Sequence, residues 1–305
     1  PPGFTECRAF RVQLSDGENE LKVVAFNRDN SMESNPVIGT VTAASPVGKA
    51  PALHGIVVGI NEYRNPRLRL KYAVADAEAF AEALETAGAG LFSSVHVRLL
   101  TKAEETTRDA IAEAFAPLSE IGPEDLFVFY VAAHGIADYG DYFLLTSEVG
   151  HTSLRKLQDT AITQDRLKEL VMNVPSSKKL LVFDTCGAEA AGEAIQVAIL
   201  TRGLNEDTAV KLLSRAIGST VLCASKSDQQ ALEGHEGHGL FTWVLIKGLL
   251  GGADLDGDGY VKTLELANYV EDLVTRMADE IFGVSQFPIA SPSGMGFPVG
   301  KVKKE

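Results

Sequence analysis

The sequence predicts an α/β fold: a mainly parallel sheet with helices on both faces, preceded by a small N-terminal β segment. Two observations carry this. From residue 51 onward, short apolar runs alternate with stretches whose apolar residues recur at helical spacing, the pattern of strands joined by crossover helices. Two of those runs, Leu126-Phe127-Val128-Phe129-Tyr130-Val131-Ala132-Ala133 and Leu180-Leu181-Val182-Phe183, are too continuously apolar for a solvated face, so they read as central strands buried on both sides.

Residues 1–43 have a different texture. Residues 8–14 alternate apolar with polar side chains, and residues 20–26 do so less strictly after the turn-rich Ser15-Asp16-Gly17-Glu18-Asn19. Residues 36–42 follow a second polar turn at 27–35. Together they read as a partial immunoglobulin-like β segment, whose earlier strands are expected upstream of a chain that begins at Pro1-Pro2. Residues 44–50 read as a linker and 51–300 as one α/β domain. Within that domain the strands fall at 54–60, 95–100, 126–133, 179–185 and 220–224. Helices fall at 74–87, 107–118, 165–172, 210–216, 241–250 and 264–277.

Composition bounds the function. With 45% hydrophobic residues, 305 residues can bury a large core, yet no apolar stretch approaches the roughly 20 residues that cross a bilayer. No membrane role is expected. The net charge of −13, without a basic run or aromatic-interleaved basic stripe, argues against nucleic acid and favours cationic partners. Three scattered cysteines, Cys7, Cys186 and Cys223, make neither a disulfide framework nor a zinc site, so a reducing, cytoplasmic compartment is expected.

The two central runs end on reactive side chains, His134-Gly135 and Cys186-Gly187. Sites of open α/β sheets lie beyond the carboxyl ends of the strands, and a thiol with an imidazole there makes a nucleophile and its base. A lone buried cysteine or a lone loop histidine would be unremarkable in function. Both together, each one or two residues past a strand end and each followed by a glycine that lets backbone amides approach a ligand, favour catalysis.

A second motif lies near the C-terminus. Asp254-Leu255-Asp256-Gly257-Asp258-Gly259-Tyr260-Val261-Lys262-Thr263-Leu264-Glu265 fits a helix-flanked calcium loop. Asp254, Asp256 and Asp258 would supply carboxylates, Tyr260 its carbonyl and Glu265 two oxygens. Such oxygen-rich ligation selects calcium. Against it, Lys262 adds a positive charge at the ninth loop position, and the loop has no second copy to pair with.

Gly59-Ile60-Asn61, Tyr72-Ala73-Val74-Ala75-Asp76-Ala77, Ala133-His134-Gly135 and Asp184-Thr185-Cys186 occur in this order, and the chain resembles the caspase-like cysteine peptidases of bacteria, relatives of the metacaspases. The likeness covers residues 51 to about 298 and implies the caspase-like fold. It implies Cys186 as nucleophile, His134 as general acid/base, and the amides of Gly135 and Cys186 as the oxyanion hole. Where the family often has His-Ser-Gly after the cysteine, this chain has Gly187-Ala188-Glu189. Animal caspases carry Gln two residues before the nucleophile and hold an acidic substrate residue with arginines. Here Asp184 stands in that place, and a carboxylate attracts Arg or Lys. By resemblance to metacaspases Asp76 forms a second acidic wall, and Asp228 is a third candidate. The competing reading has Asp76 capping a helix and Asp184 bracing a strand end.

The expected activity is thus a cysteine endopeptidase acting on protein or peptide substrates after basic residues. The resemblance also places self-cleavage between Ala188 and Arg215, with Arg202-Gly203 the first candidate bond. The alternatives are a catalytically weak or inactive caspase-like module for calcium-dependent interaction, and a Cys/His amidase or acyltransferase. Retention of both His134 and Cys186 counts against the inactive module, and nothing beyond the shared dyad supports the amidase.

Overall fold

The computed structural model describes residues 17–25, 34–43, 50–138, 141–186, 220–224, 232–291 and 296–302. At the N-terminus β1 (Gly17–Val23) and β2 (Val37–Ala43) pair antiparallel, with Gly17 opposite Ala43 and Val23 opposite Val37. Gly17-Glu18-Asn19, read above as part of a turn, belongs to this ladder instead. Seven-residue pairing satisfies backbone groups that a turn would leave to water. Residues 8–14 lie outside the described residues.

The α/β domain then runs β3 (Leu53–Gly59), α1 (Ala73–Gly88), β4 (Val95–Leu100), α2 (Arg108–Phe115), β5 (Leu126–Asp138), β6 (Asp141–Leu144), α3 (Leu154–Thr160), β7 (Ile162–Thr163), α4 (Gln164–Met172) and β8 (Lys178–Cys186). It continues with β9 (Thr220–Cys223), β10 (Glu233–His235), β11 (His238–Gly239), α5 (Leu240–Lys247), β12 (Tyr260–Lys262), α6 (Thr263–Met277), β13 (Ile289–Ser291) and β14 (Pro298–Lys301). The sheet order is β13-β9-β8-β5-β3-β4. Neighbours in this row are parallel except β13, which pairs antiparallel with β9; β6 and β7, antiparallel additions beyond β5, also make the sheet mixed.

Alternation along the strands divides the core in two. Ile56, Val58, Phe127, Phe129, Val131, Leu181 and Phe183 point to one face, where Ile111 and Phe115 of α2 and Leu167 and Val171 of α4 cover them. Leu53, Val57, Val128, Tyr130, Leu180 and Val182 point to the other, beneath α1, α5 and α6. The Thr107 and Thr163 hydroxyls cap α2 and α4 by accepting from the backbone amides three residues on. Tyr72, at the start of α1, makes no side-chain cap. Asn61, following β3, replaces it: its Oδ1 accepts from the Val74 amide at 3.1 Å and its Nδ2 donates to the Lys71 carbonyl at 3.2 Å. Gly59 makes this junction possible, because a Cβ there would lie 2.5 Å from the Ala73 carbonyl oxygen.

Several elements escaped the sequence reading, among them α3, β6, β7, the β10–β11 hairpin and β12 to β14. The difference that bears on function concerns β5. Its apolar run ends at Ala133, but the strand continues through His134 to Asp138, because β6 offers new partners where β8 stops. His134 is therefore inside a strand, and Cys186 belongs to β8, rather than either lying past a strand end. The predicted helix at 241–250 closes as α5 at Lys247, followed by a π-helical turn over Gly248–Gly252. The predicted helix at 210–216 lies outside the described residues.

Candidate active site

His134 and Cys186 stand side by side on the two central strands. In the parallel β5–β8 ladder His134 is the register partner of Cys186, and Ala132 that of Asp184. Adjacent strands lie about 4.8 Å apart, so the sheet itself delivers both residues to one place. The His134 ring is buried, with Nε2 2.9 Å from the Leu68 carbonyl oxygen. A carbonyl only accepts, so Nε2 carries the proton and Nδ1 keeps its lone pair, the tautomer a base requires. The Tyr63 hydroxyl accepts from the His134 amide at 3.0 Å, and the two rings pack 5.4 Å apart, which fixes the imidazole's seat. At Gly135 a Cβ would lie 2.6 Å from the Tyr142 hydroxyl, so a side chain there would displace the Tyr142 ring.

Asp76 and Asp184 come together beside this pair. Both are at least nine-tenths buried, and both line one recess with Leu70, Gly239, Phe241 and Gln286. Asp76, in the first turn of α1, does not cap that helix. It accepts from the Gly239 amide at 3.2 Å and pairs with His238 Nδ1 at 2.8 Å. Asp184 accepts from the Thr242 hydroxyl, on the first turn of α5. A Cβ on Gly239 would stand 3.1 Å from Asp76 Oδ2 and 3.5 Å from Asp184 Oδ2. Gly239 has φ −66° and ψ 140°, open to any residue, so glycine's conformational freedom is not needed there. What its missing side chain leaves is room between two carboxylates.

Comparison with known proteins decides the family. The caspase domain model matches residues 53–295, most of the chain. The chain belongs to the caspase domain family. Among solved structures, a protein from Geobacter sulfurreducens superposes with a TM-score of 0.53 at 16% identity, covering 83% of this chain and 98% of its own. The Drosophila initiator caspase Dronc gives 0.45 at 11% identity, covering 82% and 81%. No curated protein sequence matches. The caspase fold read from the four motifs is therefore present, in a family of cysteine hydrolases.

Within this caspase domain the acidic loop has the form of a calcium loop. Asp254, Asp256 and Asp258 each bring a carboxylate oxygen within 4.8 Å of the others. Asp254 Oδ2 accepts from the Gly259 amide at 3.1 Å, and Glu265 Oε2 accepts from the Lys262 amide at 3.0 Å. The missing partner loop has a substitute: β12 pairs antiparallel with β14, Val261 opposite Gly300. The donors fit calcium, and the buried Asp254 Oδ1 has no hydrogen-bond partner. However, Lys262 Nζ lies 2.7 Å from Asp256, 2.6 Å from Asp258 and 3.6 Å from Glu265, holding the same carboxylates that a metal would. Both neighbours hold the Lys262 ammonium charged well above the usual lysine range, Asp256 first.

Asp228 and the segment with Arg202-Gly203 lie outside the described residues. Sequence reasoning named Asp76, Asp184, His134 and Cys186 but not their neighbours Gly239, His238, Thr242 and the Leu68 carbonyl. These act through contacts between distant elements, and their local sequence carries no motif.

Proposed function

We propose that this caspase domain is a cysteine endopeptidase that cuts proteins after arginine or lysine. The observation that carries the specificity is the convergence of Asp76 with Asp184, which stands two residues upstream of Cys186 on β8, on the space left by Gly239. A guanidinium or ammonium fits between two carboxylates, whereas an acidic side chain would be repelled. The N-terminus of α5 adjoins both groups and favours their ionised forms.

In the reaction, His134 Nδ1 takes the proton from Cys186 Sγ and the thiolate attacks the substrate carbonyl carbon. The amides of Gly135 and Cys186 receive the oxyanion, and His134 returns its proton to the departing amine. Water activated by His134 then hydrolyses the thioester. Under this reading Arg202-Gly203 is a candidate self-cleavage bond, to be read by mass spectrometry. We also infer that the acidic loop takes calcium only in exchange for Lys262, because ion and ammonium claim the same oxygens.

Reporter peptides ending in Arg, Lys, Gln or Asp test the assignment. Hydrolysis of the Arg and Lys reporters, abolished by Cys186→Ala with the melting temperature unchanged, is the expected result. Preference for the Asp reporter, or activity surviving in Cys186→Ala, would overturn it.

A further inference from the structure

We infer that Thr242 is a positioning residue for substrate selection: with Tyr130 behind it, it aims Asp184 into the recess and keeps that carboxylate ionised. The inference rests on the basic specificity proposed above. Thr242 is fully buried, surrounded on α5 by the buried Leu240, Phe241, Val244 and Leu245. A hydroxyl there costs stability unless bonded. Its oxygen lies 2.6 Å from the Tyr130 hydroxyl and it donates to Asp184 Oδ2.

Proton counting fixes the direction. An ionised carboxylate only accepts, so the single Thr242 proton goes to Asp184, and Thr242 Oγ1 then accepts from Tyr130. The Tyr130 ring, wholly buried and stacked on Phe80 at 4.3 Å, cannot swing away. The three residues come from β5, α5 and β8, so the carboxylate is fixed against three elements at once. A purely structural reading, in which Asp184 merely satisfies Thr242, gives no reason for an acid, because an apolar pair of the same shape would be nearly neutral in stability.

Among the described residues, Asp184 has near it Asp76 of α1, with His238 of β11 bonded to it, Tyr130 of β5 behind Thr242, and on β5 His134, two residues beyond its register partner Ala132; the other described lining residues of the recess are neutral. Removing the Thr242 hydroxyl takes a hydrogen bond from the charged form of Asp184 and raises its proton affinity. Asp76 and His238 make no hydrogen bond to Thr242. A changed acid limb would thus report Asp184.

The test measures calorimetric binding of one peptide, in arginyl and citrullyl versions, to the Cys186→Ala protein from about pH 4 to 8, a range that spans carboxylate titration. In Thr242→Val the arginyl preference should fall about tenfold or more near neutrality, the worth of a bond to a charged group. The pH at which it disappears should rise by about one unit, while citrullyl affinity stays constant. Thr242→Ser should restore both. Tyr130→Phe, which keeps the ring stack, should shift the same midpoint less, and it carries the test should Thr242→Val fail to fold. An unchanged preference and midpoint in both variants, with the preference lost in Asp184→Asn, would overturn the role of Thr242 alone. A preference surviving Asp184→Asn would overturn the recess reading itself.

Discussion

The recess and the acidic loop are two clusters of carboxylates on one domain, handled in opposite ways. In the recess, Asp76 and Asp184 are buried and accept from a backbone amide, an imidazole and a hydroxyl around a space where a side chain is missing. In the loop, Asp256 and Asp258 are exposed and their oxygens close on the ammonium of Lys262. Acidic residues alone therefore say little about ligands. On the function proposed above, what separates the recess from the loop is that a lysine of the chain already bridges the loop's carboxylates.

Filling the reserved space should have the largest effect. Gly239→Ala keeps an allowed backbone and the amide that Asp76 accepts from, but puts a methyl group between the carboxylates. Cleavage after Arg and Lys should fall about a hundredfold, as expected for losing about 2–3 kcal/mol of buried charge pairing. The melting temperature should stay within a few degrees. Equal loss on Arg and Gln reporters would show that Gly239 matters for chemistry or folding and would break the contrast with the loop.

The fold was legible because the apolar runs of β5 and β8 and the helical spacing in α1 and α6 are strong periodic signals. The site was half legible. Asp184 and Cys186 share one short run, so their proximity could be read, and the sheet register then sets His134 opposite Cys186. Thr242 and Gly239 could not be read that way. Thr242 lies 58 residues from Asp184 in sequence and meets it only because α5 packs on the β8 face of the sheet. The hairpin of β10 and β11, too short for a periodic signal, brings His238 to Asp76 from 162 residues away.

The loop side of the comparison is sharpened by removing its internal cation. Without metal, Lys262→Met should melt below wild type, because three carboxylates within 4.8 Å are left to repel one another. With excess calcium the variant should gain more than wild type does, since the ion no longer competes with the ammonium. Glu265→Gln should diminish both gains. Equal calcium shifts in wild type and Lys262→Met would mean that the ammonium and the ion do not share these oxygens.

The smallest effect is expected from pH, and its sign follows from the two shifts. Bonding to Lys262, then to the Asp258 amide, lowers the Asp256 pKa, so its stabilisation is present above the unfolded value near 3.8 and lost as pH falls through the folded one. The raised Lys262 pKa acts in the opposite sense, present below the unfolded value near 10.5 and lost only as pH rises through a higher one. Together they leave a plateau between roughly pH 5 and 9, where calcium-free wild type should melt above Asp256→Asn. Asp256 is exposed and Lys262 partly so, leaving the pair screened by solvent, so the gap should be about one or two degrees and should narrow with added salt. It should shrink below about pH 4, where protonation makes Asp256 as neutral as the asparagine. A gap of constant size down to pH 3 would trace the difference to the loop's backbone turns rather than to the Lys262 pair.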